Sequence, residues 1–469
     1  MFKAFLKQAK LEEQPHQFEG VEWCLQKEKE GCQIPKTEKQ IHGGIIADEM
    51  GLGKTIQLVG TMDANPLPHT LIVLPKALLD QWIHVIKKMM KVKPLIYHGI
   101  WKKDTTLAHL LVYPVVITTY GMIAERGKNT SSLLYQVNWS RIIFDEAHHM
   151  RNNQTHIFKG ASQLKSPIKW FVTGTPIQNK RNDLFSLCAL LGLPTVYYTN
   201  PENLSDLAEK FILRRTKEST GLVLPKLIVH DIPVTWSNKA ENNMSEDIHS
   251  AFKFSHLVCR DDSATPACLL GESTLVSLLR ARQACILPEL LKSNYEKYLK
   301  QSQTDSVSEI TKAINSSSKM DSVLEKIIER KDNKKSKLVF CHFRGEIDYI
   351  HEALTSAGMK TEKFDGRTNE KQRHAILTSK KIDVLILQIQ TGCEGLNLQQ
   401  FSEVYFISPH WNPAIEDQAI ARCHRFGQKE DVEVFRFYMI GFDHREESNT
   451  IDEYSASVQD KKRQLMNIY

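Results

Sequence analysis

Short apolar runs of strand length recur along the first half of the chain, and helical stretches follow them. IIA at 45–47 precedes TIQLVGTM, and HTLIVLP at 69–75 precedes KALLDQWIHVIKKMM. VVITTY, RIIFDE and KWFVTGTP continue the series. Apolar runs of about four to eight residues, alternating with helical patterns, predict parallel sheets built from βαβ units. The pattern fades near residue 233. Residues 236 to 330 read as mostly helical and polar, with breaks at SATP and INSSSK. The basic run RKDNKKSK (330–337) reads as a solvated linker or as a nuclear-import patch. At 338 the strand–helix pattern resumes with LVFCHF, TEKFDG, VLILQI, EVYFIS and VEVFRFYMI. TIDEYSASVQDKKRQLMNIY closes the chain as an amphipathic helix. No tandem repeat with a period of about 20–50 residues interrupts this order. The expected fold class is therefore α/β, with four sections. These are an extension at 1–14, a parallel-sheet lobe at 15–232, a helical protrusion and linker at 233–336, and a second lobe at 337–469.

Composition narrows the partners. The net charge of 61 − 55 = +6 permits a polyanionic partner without demanding one. No apolar run reaches the roughly 18 residues of a membrane span. The opening MFKAFLKQAKLEEQ lacks the apolar core and cleavage site of a signal peptide. The nine cysteines are scattered and none forms a C-x-x-C pair. That spacing argues against a zinc ribbon, a RING-type site or a disulfide framework, and fits an intracellular protein.

Two segments carry chemistry. DEMGLGKT (48–55) lies between an expected strand and an expected helix. Gly51 and Gly53 let backbone N–H groups face phosphate oxygens, and the helix N-terminus favours an anion. Lys54 can reach the β- and γ-phosphates, and Thr55 can hold Mg²⁺. A glycine turn capping a helix is the alternative for this fragment taken alone. The second segment, RIIFDEAHHM (141–150), is a buried strand ending in two carboxylates. Asp145 can bind Mg²⁺ and Glu146 can activate water. Together and in this order, the pair favours a nucleotide site over an acidic loop.

With WFVTGTPIQN (170–179), these segments resemble superfamily 2 helicase-type motors. Asp48 narrows the resemblance to the Swi/Snf-type ATPases, whose loop reads DEMGLGKT. PHQFEGVEW (15–23), LIVLPKALLDQW (71–82), VVITTYGM (115–122) and FILRRTK (211–217) resemble further segments of that family. So do LRARQACILPELL (279–291), SSKM (317–320), LVFCHFRGEIDYI (338–350), FDGRTNEKQR (364–373) and QAIARCHRFGQ (418–428). The resemblance runs from about residue 15 to the end. Its wording leans toward the branch of the helicase-like transcription factor and its repair relatives, without their RING insertion.

The resemblance implies two RecA-like lobes with a helical protrusion between them. It implies ATP held by Gln17, Asp48, Glu49, Met50, Gly51, Leu52, Gly53, Lys54, Thr55, Gly395 and Gln418, with Mg²⁺ on Thr55 and Asp145. Lys54, Asp145, Glu146, Arg422 and Arg425 carry catalysis in this reading. The two arginines reach from the second lobe, although Arg and His in a last helical turn also suit the helix dipole. Lys76, Thr119 and Trp411 would contact DNA, while His148, Thr173 and Thr175 would couple the sites. The implied activity is DNA-dependent ATP hydrolysis driving translocation on double-stranded DNA. A strand-separating or RNA-directed helicase and a nucleotide-gated clamp are the alternatives. A targeting protein partner is expected, with no membrane role. The implied location is intracellular: nuclear in a eukaryotic host, or at viral DNA sites. One segment departs from the family. In LQIQTGCEGLNL (387–398), Gln388 to Cys393 replace most of a hydroxyl and basic motif, and Glu394 adds a carboxylate. That departure puts the second lobe's grip on phosphate in question.

Overall fold

The computed structural model describes residues 2–9, 11–35, 37–125, 127, 132–177, 181–250, 252, 265, 267–270, 273–302, 308–379, 382–392, 396–442 and 449–466. The chain divides into two compact units, one over Met1–Val223 and one over Leu224–Leu465.

In the first unit the apolar runs become strands. They are β1 (Cys32–Gln33), β2 (Gln40–Ile46), β3 (Thr70–Leu74), β4 (Leu95–Tyr97), β5 (Val115–Thr119), β6 (Arg141–Asp145), β7 (Ile168–Val172) and β8 (Ile212–Leu213). Their order across the sheet is β1-β2-β7-β6-β3-β5-β4, with β8 also on β2. All pairings are parallel except that of β1 with β2. Every residue of β3, β5 and β6 is buried, because helices cover both faces. Side chains alternate between the faces. Leu71, Val73, Val116, Ile142 and Phe144 enter one core, while Ile72, Leu74, Val115, Ile117 and Ile143 enter the other.

One buried ion pair aligns the helix Pro15–Lys29 with this sheet. Glu28 of the helix makes a bidentate pair with Arg141 at the start of β6, and both side chains are almost wholly buried. Trp170 Nε1 and Asn65 Nδ2 donate to the same carboxylate, at 2.9 and 2.7 Å. Satisfying each oxygen twice offsets the desolvation of two buried charges. The strand that starts at Arg141 ends at Asp145, so the pair fixes the helix against the strand that carries Asp145.

The second unit is built on β9 (Leu227–Val234), β10 (Lys337–Cys341), β11 (Thr361–Phe364), β12 (Val384–Gln388), β13 (Glu403–Phe406) and β14 (Val432–Met439). Their order is β11-β12-β10-β13-β14-β9, all parallel. Both sheets are thus of the expected α/β parallel kind. The unit boundary falls at Val223, ahead of the expected 232, because β9 pairs with β14 over eight residues. The described residues of the helical section pack into the core of the second sheet. Met244, Ile248, Ala281, Cys285, Met320 and Val323 from its helices share one core with Val339, Ile386, Tyr405 and Phe435 of the sheet. Among the described residues, no helix is long and apolar enough to cross a membrane.

The closing helix Ile451–Met466 is anchored by charge as well as by packing. Asp452 pairs with Lys319 of the helix Ser318–Glu329, and both side chains are almost fully buried. Asp452 also accepts bonds from Ser408 Oγ (2.7 Å) and Met439 N (3.0 Å). Burial pushes the Asp452 carboxyl up, but Lys319 and these donors outweigh burial and hold it below its ordinary range. Its stabilising contribution is therefore complete above the unfolded-chain value of about 3.9 and is lost as pH falls through the lower folded value. Lys319→Met, which leaves Asp452 buried without its cation, is expected to destabilise the second unit by about 3–5 kcal/mol. Lys319→Met with Asp452→Leu should recover most of that loss. Urea unfolding of the parent and both variants, repeated between neutral and acid pH, measures the effect.

Candidate nucleotide-binding site

The phosphate-loop residues lie where β2 gives way to the helix Lys54–Ala64. Gly53 precedes that helix at φ 80° and ψ 35°, a left-handed conformation that favours glycine. A Cβ there would also strike Gln17 Nε2. No side chain caps the helix, so its first turn still presents N–H groups outward. The loop carbonyls are drawn the other way. Leu52 O accepts from His16 Nε2 (3.0 Å), Gln57 Nε2 (3.3 Å) and Gln17 Nε2 (3.4 Å). Lys54 Nζ donates to the carbonyls of Asp48 (2.7 Å) and Glu49 (3.3 Å). With these carbonyls bound inward and no side chain capping the helix that follows, the loop suits an anion.

Asp48 is turned into the protein and has no exposed surface. Its Oδ1 accepts from Arg215 N and Arg215 Nε, both at 3.1 Å. Its Oδ2 accepts from the terminal nitrogen of Arg215 (2.6 Å) and from Gln57 Nε2 (3.1 Å). The same guanidinium donates to His16 O and to Gln57 Oε1. Arg215 therefore ties the helix Pro15–Lys29, the loop and the helix Lys54–Ala64 together. The neighbouring Glu49 is held by Lys217 Nζ (2.9 Å) and Lys217 N (2.8 Å), and its own N–H donates to Arg215 O (2.8 Å).

Asp145 and Glu146 stand at the end of β6. Asp145 Oδ2 accepts from Trp82 Nε1 (2.7 Å), and Oδ1 accepts from Glu146 N (3.0 Å). Burial, then the Glu146 carboxylate, pushes Asp145 up to about 6, partly opposed by the Trp82 bond and by Lys54. Glu146 adopts φ 51° and ψ 51°, a left-handed conformation that costs a non-glycine residue about 1–2 kcal/mol. It turns the chain sharply beyond the strand, as strained residues at functional sites do. His148 Nδ1 lies 3.4 Å from Glu146 Oε2 and stacks on His149, which stacks on Tyr120. Tyr120 closes the circuit by donating to Asp145 O at 2.7 Å. At the end of β7, Thr173 Oγ1 accepts from Thr175 N (3.2 Å), and a Cβ on Gly174 would press on Met50. The first unit thus gathers Gln17, residues 48–55, Asp145, Glu146, His148, Thr173 and Thr175 at one edge of its sheet. Backbone donors, a lysine, a hydroxyl and a raised carboxyl fit a Mg²⁺-bound polyphosphate. Thr55 and Asp145 would hold the metal.

The second unit carries candidate groups of its own. Gln418 is buried, and its Nε2 has no hydrogen-bond partner among the described residues. Arg425 Nε is buried without such a partner too. Burial, then the charge of Arg422, lowers the Arg425 pKa. Two cations crowded together, one of them incompletely bonded, suit an added anion. Gly395, Glu394 and Cys393 lie outside the described residues. In the divergent segment, Gln388 Nε2 reaches His342 O at 3.5 Å. Trp411 packs edge-on against Tyr454 and under the Arg282 guanidinium. Lys76 is exposed at the end of β3, and Thr119 Oγ1 meets His98 Nδ1 at 3.0 Å at the end of β5. Nothing local in the sequence marks Arg215, Gln57 or Trp82 for a role at this site. Arg215 and Trp82 lie in quoted segments, but only the fold brings them to Asp48 and Asp145.

Residues 16–338 match the SNF2-related domain, and residues 318–427 match the helicase conserved C-terminal domain. A probable global transactivator of Orgyia pseudotsugata multicapsid polyhedrosis virus is 28% identical over 96% of this chain and 90% of its own length. An uncharacterized ATP-dependent helicase of Mycoplasma pneumoniae is 28% identical over 96% of this chain but 41% of its own length. The DNA repair protein RAD5 of Kluyveromyces lactis is 26% identical over 92% of this chain and 56% of its own length. The chain therefore spans roughly half of these cellular relatives. Among solved structures, the Sulfolobus solfataricus SWI2/SNF2 ATPase core in complex with dsDNA aligns over 97% of this chain and 92% of that one, at 25% identity and a TM-score of 0.42.

Arg215→Ala is expected to leave Asp48 buried and unpaired, destabilising the first unit by about 3–5 kcal/mol. Arg215→Lys should recover little, because one ammonium cannot replace a fork of bonds. Adding Asp48→Asn to Arg215→Ala should recover more. Denaturant unfolding of the three variants checks the order.

Proposed function

The chain belongs to the SNF2-related family, and we propose that it is a DNA-dependent ATPase that moves along double-stranded DNA and remodels or displaces protein bound there. One observation carries the reading. The outward-facing phosphate loop of the first unit lies at the same sheet edge as the strand-end pair Asp145 and Glu146. Relatives named as an ATP-dependent helicase and as a DNA repair protein support ATP use and a DNA substrate.

In this reading the loop N–H groups, Lys54 and Thr55 bind the phosphates, and Gln17 reads the base. Mg²⁺ on Thr55 and Asp145 would neutralise charge on the phosphate oxygens. Glu146 accepts a proton from the attacking water, with His148 orienting its carboxylate. Gln418, Arg422 and Arg425 of the second unit supply the remaining polar groups, the arginines stabilising charge as phosphoryl transfer proceeds. Lys76, Thr119 and Trp411 touch DNA, and Thr173 and Thr175 link that contact to the nucleotide. A separate protein directs the motor to its target, in the nucleus of a eukaryotic host or at viral DNA.

ATP turnover measured with duplex DNA, single strands and RNA tests the proposal. Duplex DNA is expected to stimulate most. Glu146→Gln should lower turnover by about 10²–10⁴-fold while ATP still binds. Arg425→Ala should lower it by about 10³–10⁵-fold. Intact ATP binding with no response to duplex DNA would sink the proposal.

A further inference from the structure

Two large apolar side chains stand outside the first unit beside its sheet edge. Ile100 and Trp101 are 71% and 59% exposed, in the turn Gly99–Lys102 that follows β4. The turn is fixed from within. Lys103 N donates to Ile100 O (3.1 Å), Thr105 N to Lys102 O (3.2 Å), and the buried Thr105 Oγ1 to Trp101 O (2.9 Å). Its base is tied to the neighbouring strand by the contact of His98 with Thr119 at the end of β5. The backbone thus holds the two side chains in water, where each forgoes about 1.5–3 kcal/mol of burial. Such exposure suggests a partner.

Charge identifies the partner's chemistry. Lys102 and Lys103 follow Trp101 directly, and Lys76 begins the turn after β3. Burial, then the charges of Lys76 and Lys102, lowers the His98 pKa. An apolar pair is therefore accompanied by three lysines at the carboxyl ends of β3 and β4, the two strands that flank β5. Ligands of open α/β sheets bind along this edge. Nucleic acid offers the complement, with phosphates at regular spacing and apolar sugar and base surfaces between them.

Resting on the reading of the chain as a duplex-directed motor, we propose that the turn Gly99–Lys102 is a DNA-gripping wedge of the first unit. Trp101 and Ile100 lie against the groove wall, while Lys76, Lys102 and Lys103 meet the flanking phosphates. The wedge extends the contact assigned to Lys76 and Thr119 onto residues that carry no motif.

Fluorescence anisotropy of a labelled duplex with the full chain, without nucleotide, tests the wedge independently of ATP turnover. Trp101→Ala is expected to weaken duplex binding about tenfold, as loss of one aromatic contact does. Trp101→Phe, which keeps a ring, should retain most of the affinity, and the unfolding midpoint should stay that of the parent in both. Lys102→Ala with Lys103→Ala should reduce the slope of log affinity against log salt by about two. Parent-like duplex binding by Trp101→Ala overturns the wedge. So does a loss confined to binding of phosphatidylserine vesicles, because the turn would then be a lipid contact. A parent that binds duplex through Trp101 but shows no DNA-stimulated turnover keeps the wedge and removes the motor reading.

Discussion

The carboxylate of Asp48 is sealed from water, and the nucleotide end of the first unit is arranged around the guanidinium that answers it. A buried carboxylate without a cation would be driven to neutrality or outward. Arg215 prevents both by filling two oxygens with three of its donors, with Gln57 supplying a fourth bond. Because Arg215 also binds His16 O and Gln57 Oε1, the same charge aligns the helix Pro15–Lys29, the loop and the helix Lys54–Ala64 from a position far along the chain. The loop inherits its shape from that alignment. Leu52 O is held by side chains from two of those segments, which fixes the turn just ahead of the helix Lys54–Ala64.

Buried charge recurs as the means of positioning. Glu28 and Arg141 align a helix with the strand that ends at Asp145. Lys319 and Asp452 fasten the closing helix to the second unit. Such pairs add little net stability over apolar contacts, yet breaking one leaves a stranded charge. Their directional bonds also select one register, which interchangeable Leu, Ile and Val contacts do less sharply. In both units the apolar layers set which elements pack, and the ion pairs set how they align.

The sequence was a good guide to the strands because a parallel strand buried on both faces must be apolar throughout. TLIVL, VVITT and VLILQ become β3, β5 and β12 for that reason. It was a weaker guide to boundaries. LIVHDIPV lies past the first lobe's last motif and reads as an ending, yet it pairs with β14 as the edge of the second sheet. The helical section is mostly polar in sequence. Met244, Cys285 and Val323 nevertheless enter the core of the second sheet.

The sequence by itself presented the candidate groups: a lysine and threonine behind two glycines, paired carboxylates at a strand end, and spaced arginines in an ordered series. Those signals are local, so residue type and spacing suffice to read them. Only the tertiary structure decided what Asp48 and Trp82 do. The family resemblance counts Asp48 among the residues that hold ATP, and its carboxylate is taken up by Arg215. Trp82 looked like one more apolar residue of an amphipathic helix, and its indole N–H holds Asp145. Burial and hydrogen-bond partnership depend on what packs from elsewhere in the chain, and no single segment carries that information.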